Sequence, residues 1–363
     1  MKKSKVLAVL LILALSLALC ACGSSAAPAA PAAPAQPAAP AEPAAPSAPS
    51  EPAPAPEVKA DPVTIDLVAT FPAGNINYTA ALLLADEVAE KTAGEISFNF
   101  LGGTEIFSGA AAAEAVLSGA LDAAFIGSDY FTGFVPAVAA VNASNMTYED
   151  MLASGALDYL NETFTANGAR MVYVVDEVGI QGTVIYTNKP VSSLEELKGM
   201  TIRTSGTAQD AIMKALGCTP TPLGLGEIFT GLEQGLIEGY CGPSFLGGAM
   251  GFFEYSKCQI STEIARGGTA LLVNEDVWQS MSADQQDLLV SVLREINADE
   301  VALYSQAVAD NRALLADAGG AVVDLSAEDD AALKELASQY AWEAVQNTVP
   351  ADVYEQLHTL FTK

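Results

Sequence analysis

The sequence predicts an α/β protein in which two halves of similar build enclose a cleft. Between residues 63 and 126, β-rich segments such as "VTIDLVAT" alternate with helical segments such as "AALLLADEVAEKTAG". A strand–helix–strand–helix–strand run of this kind indicates a parallel sheet covered by helices. The alternation returns between residues 170 and 243, and long helical stretches follow it. A cleft between two such halves is a common setting for a ligand site.

The elements follow from local patterns in chain order. Strands are predicted in the segments 63–70, 95–103, 123–126, 170–191, 201–204 and 270–274. Helices are predicted over 80–94, 109–120, 206–217, 282–319 and 326–346. The helix over 282–319 opens with a capping box from Ser282 to Gln285, and the helix over 326–346 repeats it with Asp329 in the partner position.

The N-terminus carries the pattern of a secretion signal. Three lysines precede an apolar run over residues 6–15, which is shorter than the roughly 20 residues of a membrane span. Cys22, between Ala21 and Gly23, resembles the lipidated cysteine of bacterial lipoproteins. Cys20 fits that position worse because bulky Leu19 precedes it. An ordinary secreted protein, cut nearby, is the alternative.

Three regions are therefore expected. Residues 1–21 form the signal peptide, residues 22–58 hold the lipidated Cys22 and an Ala/Pro-rich linker, and residues 59–363 form the globular domain. A tract made almost only of Ala and Pro has no apolar face to bury and is typical of an extended, semi-rigid spacer. We expect an extracytoplasmic protein attached to the cell membrane by its lipid.

The chain is strongly acidic, and this excludes several functions. It has 44 Asp+Glu against 16 Lys+Arg, so nucleic acid is excluded as a partner. His358 is the only histidine, and the chain has no GxSxG motif, so no hydrolytic triad, metal site or cofactor is expected. We predict that the protein is not an enzyme.

Cys218, Cys241 and Cys258 lie in the globular domain without CxxC spacing, which argues against zinc or a redox motif. A Cys241–Cys258 disulfide and free buried thiols both remain open on this pattern.

Arg203 is an unusual residue in so acidic a chain, since it stands between two threonines in "LKGMTIRTSG". Two interpretations compete. A surface ion pair is easy to form among so many acidic residues, whereas an arginine at a strand end, just ahead of a helix, could also bind a carboxylate ligand. Arginine supplies a permanently charged, planar pair of donors for that task.

The segment "SSLEELKGMTIRTSGTAQDAIMKALGCTPTPLGLGEIFTGLEQGLIEGYCGP" resembles one family almost piece by piece. That family is the substrate-binding proteins of tripartite ATP-independent periplasmic (TRAP) transporters, dicarboxylate-receptor type. Its members have a D-L-K-G…R segment, then A-L-G-A-x-P-x-P, then an E-V-Y…G-x-V-D-G segment. "AVLSGALDAAFIGSDYFTGFVPAV" is similar to a further family segment.

The resemblance implies a two-lobed, periplasmic-binding-protein-like fold with hinge strands and a long helix linking the lobes. It places lobe I at about 63–180 and 269–308, and lobe II at about 181–268 and 309–363. Hinges are expected near 180–182, near Gly268 and a third of the way through the long helix. It also implies that Arg203 is the central ligand group, assisted by the helix N-terminus at 206–207.

Other implied pocket positions depart from the sialic-acid-binding members. Thr183 replaces a second arginine, Leu225 an aromatic residue, Gly242 an asparagine and Gly127, followed by Ser128, a glutamate; Cys241 also replaces the usual glutamate. These changes remove charge and bulk from the polyol end of such a pocket. A smaller or less polar carboxylate is expected, such as a C4-dicarboxylate, a keto acid or an aromatic acid.

Further candidates lie on the loops that follow predicted strands. The aromatic ones are Phe71, Tyr130, Phe131 and Tyr240, each with a core position as the alternative. The polar ones are Thr204, Ser205, Asn75 and Asn77, with a helix cap as the alternative for Asn77. Glu227 matches a family acid and is expected to cap a helix.

The expected function is extracytoplasmic capture of a small carboxylate and its delivery to the membrane subunits of a TRAP permease. A ligand sensor on the same fold, signalling to a membrane receptor, is the alternative.

Overall fold

The computed structural model describes residues 61–175 and 182–362. The predicted signal peptide, Cys22 and linker, and most of the hinge expected near 180–182, lie outside these residues. The strands are β1 (Val63–Ala69), β2 (Ile96–Gly102), β3 (Ala123–Gly127), β4 (Ala169–Val174), β5 (Thr183–Thr187), β6 (Thr201–Thr204), β7 (Thr219–Pro222), β8 (Gly239–Pro243), β9 (Cys258–Ile260), β10 (Thr269–Asn274) and β11 (Ala321–Val323).

The helices are α1 (Ile76–Lys91), α2 (Gly109–Ser118), α3 (Ala139–Ala143), α4 (Tyr148–Ser154), α5 (Ala156–Thr165), α6 (Thr207–Ala215), α7 (Ile228–Glu233), α8 (Leu246–Ala249), α9 (Glu275–Ser280), α10 (Ala283–Asp317), α11 (Ala327–Gln346) and α12 (Ala351–Phe361). Short 3-10 turns follow several strands, among them 128–131 after β3 and 225–227 after β7. Within the described residues, no helix is both long enough and apolar enough to cross a membrane.

The strands form two sheets. The first has the order β2-β1-β3-β10-β4, with β1, β2 and β3 parallel and β10 antiparallel to both of its neighbours. The second has the order β11-β9-β5-β8-β6-β7, with β6, β7 and β8 parallel. The parallel strands match the strand–helix alternation of the sequence. β5 and β10 run antiparallel to their neighbours, and each directly follows a strand of the other sheet in the chain.

Each sheet has its own apolar core. The first core includes Ile65, Phe125 and Leu271. The second sheet is buried on both faces, because Ile185 packs with α6 and α11 while its neighbour Tyr186 packs on the opposite side with α7 and the 3-10 turn after α8. That alternation is the period of two expected along a strand.

Two segments cross between the sheets and are joined to each other. One leads from β4 to β5, and the other leads from β9 to β10 through residues 261–268. Thr183 donates its N–H to the Ala265 carbonyl (2.7 Å) and accepts from the Ile264 N–H (2.8 Å). Gly268 has φ +67°, and a Cβ there would lie 2.0 Å from Asn142 Oδ1, so this crossing requires glycine.

Two long helices also connect the halves. In α10, Leu289 and Ile296 pack in the first core, whereas Leu315 packs in the core of the second sheet. The predicted capping box opens this helix, with Ser282 accepting from the Gln285 N–H and Gln285 accepting from the Ser282 N–H. In α11, Leu333 packs in the core of the second sheet, whereas Trp342 packs in the first core.

The C-terminal division of the lobes differs from the prediction of 309–363 for lobe II. The end of α11 and all of α12 pack in the first core, through Trp342, Val345, Leu357 and Phe361. Phe361 is 1% exposed, and its carbonyl accepts from Ser144 Oγ in the first lobe (2.8 Å). These apolar residues are therefore buried by the first lobe, to which the chain returns after α11.

Candidate functional site

The candidate site lies where the carboxyl ends of parallel strands meet. In the second sheet, residues 204–205 end β6, residue 223 follows β7, and Gly242 stands near the end of β8. In the first sheet, Phe71 follows β1 and Gly103 follows β2. β3 ends at Gly127, and residues 128–131 form the turn after it. Ligands of open α/β sheets bind outside such carboxyl ends.

The crossing segments bring these two edges together. β5 begins at Thr183, which is paired with Pro243 at the carboxyl end of β8. β10 begins at Thr269, which is paired with Gly127 at the carboxyl end of β3. Both crossings therefore lead from the carboxyl edge of one sheet to the carboxyl edge of the other. The bridge between Thr183 and Ala265 holds the two crossings together. The candidate residues of the two sheets therefore flank the same interlobe space.

Arg203 lies on this edge of the second sheet and is 6% exposed. Its Nε donates to the Leu223 carbonyl (2.9 Å) and its Nη1 to the Cys241 carbonyl (3.1 Å). No ion pair of the described residues includes Arg203, and none of their hydrogen bonds uses its Nη2. The surface ion pair considered from the sequence is therefore absent among the described residues.

Arg203 stays fully charged, and the groups around it compensate this charge only in part. Burial lowers the pKa of its guanidinium, while Cys241, Tyr130 and Glu227 act in the opposite direction. Arginine stays protonated through such shifts because its ordinary pKa is far above neutrality. A buried cation held by two neutral carbonyls favours an anionic partner that can accept from the remaining N–H groups.

A groove of about 470 Å³ adjoins Arg203. It is lined by residues 204–207, Asp210, residues 222–224 and Glu227. Thr204 Oγ1 donates to Asp210 Oδ1, and Ser205 Oγ donates to Gln209 Oε1 (3.2 Å). The predicted hydroxyl donors at 204 and 205 are thus committed to the first turn of α6.

Glu227 accepts from the Gly224 N–H (2.7 Å) and so caps the short turn at 225–227, as expected from the sequence.

The first sheet contributes the segment "GSDYF" at 127–131. Ser128 is fully buried, and its Oγ donates to Asn142 Oδ1 (2.7 Å), so it supports the loop from within. Tyr130 is 47% exposed, and its ring lies 3.8 Å from where a Cβ of Gly127 would be. Phe131 is fully buried in the first core, as the core alternative held.

Phe71, Asn75 and Asn77 lie beyond the end of β1. Phe71 is half-buried against the first core. Asn75 caps α1 by accepting from the Asn77 N–H (2.9 Å). Asn77 does not cap the helix as the sequence alternative held; its Oδ1 accepts from Tyr304 Oη of α10 (2.7 Å). The helix cap expected at Asn77 is therefore formed by Asn75.

Other candidates of the second lobe turn away from the interlobe space. Tyr240 is fully buried and stacks on Tyr186 with ring centroids 4.6 Å apart, so it occupies its core alternative in this conformation. A Cβ on Gly242 would lie 2.8 Å from Leu246 Cδ2, so packing already fills the space beside it. Leu225 is half-buried against the same core.

The three cysteines of the described residues are buried free thiols and form no disulfide with one another. Cys241 and Cys258 lie on the two strands that flank β5, so a strand separates them. Burial raises the pKa of Cys241 to about 12 and that of Cys218 to about 11, which keeps both neutral. In the part of the chain that the structure describes, no group of three or more His, Cys, Asp or Glu residues could hold a metal ion.

Sequence reasoning missed Asp129, although it stands between two named candidates. Asn142 Nδ2 donates to Asp129 Oδ1. The carboxyl is open to solvent, yet the protein around it raises its pKa to about 6 by desolvation. No spacing rule separates it from the many other acidic residues of the chain.

The chain is similar to one known protein family and to several known proteins. The profile of the family described as bacterial extracellular solute-binding protein, family 7, matches residues 67–347. The sialic acid-binding periplasmic protein of Vibrio cholerae is 22% identical over 233 residues, which cover 61% of this chain and 71% of that protein. The 2,3-diketo-L-gulonate-binding periplasmic protein of Escherichia coli is 26% identical over 224 residues, covering 60% and 68%.

A solved structure confirms the predicted fold class. A TRAP periplasmic solute binding protein from Desulfovibrio salexigens, with bound orotic acid, superposes with a TM-score of 0.71 at 21% identity. The superposition covers 82% of this chain and 97% of that one. These relatives are solute-binding proteins of transporters and not enzymes, which confirms the prediction made from the sequence.

Proposed function

The chain belongs to the bacterial extracellular solute-binding proteins of family 7, and on that premise we propose that it captures a small carboxylate between its two lobes. Arg203 fixes the acid group, and the protein then delivers the ligand to the membrane subunits of a TRAP permease. The relatives named above, which bind sialic acid and diketogulonate, support an acid as the ligand.

The single observation that carries the proposal is the state of Arg203. Its guanidinium is almost fully buried, two neutral carbonyls orient it, and no carboxylate of the described residues forms an ion pair with it. Burying a cation in this way is costly unless a partner completes the site. A ligand carboxylate at Nη1 and Nη2 would supply the charge and the missing acceptors in one bidentate contact.

The supporting residues have distinct roles in this proposal. Thr204 and Ser205 shape the edge beside Arg203, and Leu225 packs behind this edge in the core of the second sheet. Tyr130 faces the site from the first lobe, with Phe71, Gly127 and Ser128 behind it, and Thr183 lies at the floor. Asn75, Gly242 and Tyr240 hold these elements in place without contacting the ligand.

A thermal-shift screen against small organic acids tests the proposal. An acid that stabilises the wild type should bind the Arg203→Ala variant more weakly by about 2–3 kcal/mol, the scale for losing a charge-assisted partner. That loss is roughly 30- to 150-fold in affinity. Arg203→Lys keeps the positive charge but loses the paired N–H donors of the guanidinium. Its affinity for the acid should lie between those of the wild type and Arg203→Ala.

Arg294→Ala is the matched control, because Arg294 is exposed and pairs with Glu149 on the surface. It should bind the same acid as the wild type does. Circular dichroism of each variant verifies that it is folded. If Arg203→Ala gains as much stability from the acid as the wild type, Arg203 does not hold the acid group.

The N-terminal organisation completes the proposal. A signal over residues 1–21, a lipid on Cys22 and the Ala/Pro-rich linker up to residue 58 would hold the binding domain outside the cytoplasm, at the membrane where the permease works. The cysteine preceded by Ala21 and followed by Gly23 supports it.

A further inference from the structure

An acidic residue lies at the carboxyl edge of the first sheet, which flanks the interlobe space from the side opposite Arg203. Asp129 lies in the turn after β3, at the same carboxyl edge as Gly127 and Tyr130. Asn142 Nδ2 donates to one of its carboxyl oxygens, and Asn142 is itself fixed by Ser128 Oγ (2.7 Å). The carboxylate is therefore held in position by neutral groups while it remains open to solvent.

Within the described residues, no basic residue forms an ion pair with Asp129. The sequence from 61 to 175 holds only Lys91 and Arg170 as basic residues. Lys91 ends α1 and lies near Glu87 (3.6 Å), and Arg170 pairs with Glu275 at the opposite, amino edge of the sheet. The surrounding protein raises the pKa of Asp129, and Asn142 is the one group that acts against this rise.

Arg266 is the nearest basic residue along the crossing segment, and it is engaged elsewhere. It is 5% exposed, and its guanidinium donates to the carbonyls of Met146 and Val175.

Aromatic and acidic groups stand along the same edge. Tyr130 is 47% exposed, and Phe71 is half-buried at the end of β1. Glu105 folds back so that its Oε1 accepts from the Gly103 N–H (2.7 Å). A Cβ on Gly103 would lie 2.4 Å from the Phe71 carbonyl oxygen and 3.0 Å from Glu105 Oε2, so this acid lies beside the Phe71 backbone. Carboxylates and aromatic faces together are the groups that recognise organic cations.

We propose that the ligand carries an ammonium group as well as a carboxylate, and that Asp129 with Tyr130 recognises the ammonium while Arg203 holds the carboxylate. This inference rests on the proposed function and names the class of its ligand as amino acids and related zwitterions. The second carboxylate of a dicarboxylic acid would instead meet Asp129, and two like charges in a partly desolvated space repel each other.

Isothermal titration with three matched acids tests this class. Pentanoate, γ-aminobutyrate and glutarate share a chain of three methylenes and end in a methyl, an ammonium and a carboxylate group. Homologous sets that are one and two methylenes longer cover other spacings between the lobes. In the wild type, the amino acid of at least one set should bind about tenfold or more tightly than both of its partners.

Asp129→Asn keeps the shape of the side chain and removes its charge. It should lose about tenfold or more in affinity for the amino acid and gain affinity for the dicarboxylate. Asp86→Asn, on the exposed face of α1, is the matched control and should bind as the wild type does. Thermal unfolding of Asp129→Asn establishes that the variant is folded.

The outcomes separate this inference from the proposed function. Monoacids or diacids that bind as tightly as amino acids, an unchanged preference in Asp129→Asn, or no amino acid binding at any length each overturns the inference. If acids still bind in these cases and Arg203→Ala abolishes their binding, the proposed function stands. Binding that is independent of Arg203 overturns both.

Discussion

At the scale of single residues, Arg203 shows how a chain with an excess of acidic residues can prepare a site for an acid. Its guanidinium is oriented by the carbonyls of Leu223 and Cys241, which belong to the two strands that flank β6 or to their ends. Carbonyls orient a cation without cancelling its charge, whereas a carboxylate partner would have occupied the ligand's place. The site is therefore preorganised, which lowers the cost of binding.

Asp129 yields a prediction about pH. Its carboxyl has a pKa of about 6 in the folded protein, above the value of about 3.9 in an unfolded chain. The folded state therefore binds more protons between these values, so this group makes stability fall as the pH rises from about 4 to about 6. Asp129→Asn lacks this loss and should be more stable than the wild type at about pH 8, by a margin that disappears near pH 4.

Urea midpoints of the two proteins across this range measure the effect. Asp150→Asn is a control with the opposite sign. Hydrogen bonds from Thr147 lower the pKa of Asp150, so this variant should be less stable than the wild type near neutral pH. Its deficit should shrink as the pH falls through the acid range. A constant difference between Asp129→Asn and the wild type at every pH would contradict the account of Asp129.

At the scale of elements, α10 supports both halves and depends on a well-formed start. Ser282 and Gln285 form the capping box, and Gln285 Nε2 also donates to the Asp61 carbonyl (2.9 Å) just ahead of β1. The cap therefore orders the beginning of the first sheet as well as the helix.

Ser282→Ala should lower the free energy of unfolding by about 0.5–2 kcal/mol, the range for losing a helix cap. Urea denaturation measures it. Ser305→Ala is a matched control in the same helix: Ser305 is exposed, and its Oγ donates back to the Val301 carbonyl (2.8 Å). Alanine has the higher helix propensity there, so this control should lose no stability. Equal losses in both variants would contradict the role of the cap.

The sequence predicted elements better than it predicted their partners. Strand–helix alternation and the Ser282 signature located β1, β3, α1 and α10, because these patterns are local. The destination of α12 could not be predicted, since apolar positions such as Leu357 and Phe361 indicate a buried face but not the core that buries it. The position of the α1 cap was missed for the same reason, because Asn75 and Asn77 can both cap a helix and only Tyr304, distant in sequence, distinguishes them.

At the scale of the whole molecule, the two crossing segments decide where a site can form. They join the carboxyl edge of one sheet to that of the other, and Thr183 bridges them. Arg203 was identified from the sequence through its family segment, since that segment is contiguous. Asp129 and Asn142 were missed because their relation to Gly268 exists only after the crossing has formed.

In the proposed site, the acidic charge of the rest of the molecule would make Arg203 selective. In so acidic a chain, an anion is repelled on average and is attracted only locally. The acids at the carboxyl edges, which include Asp129, Glu105, Asp210 and Glu227, restrict that attraction to the surroundings of one guanidinium. A ligand must therefore place its acid group at Arg203 and present neutral or cationic groups to the rest of the space.

The most direct test of this account is a crystal structure of the protein with an acid found in the screen. The account predicts that the ligand lies between the two carboxyl edges, with its carboxylate accepting from Nη1 and Nη2 of Arg203 and its other end toward Asp129 and Tyr130. A carboxylate bound elsewhere, with Arg203 still contacting only the Leu223 and Cys241 carbonyls, would contradict the central claim.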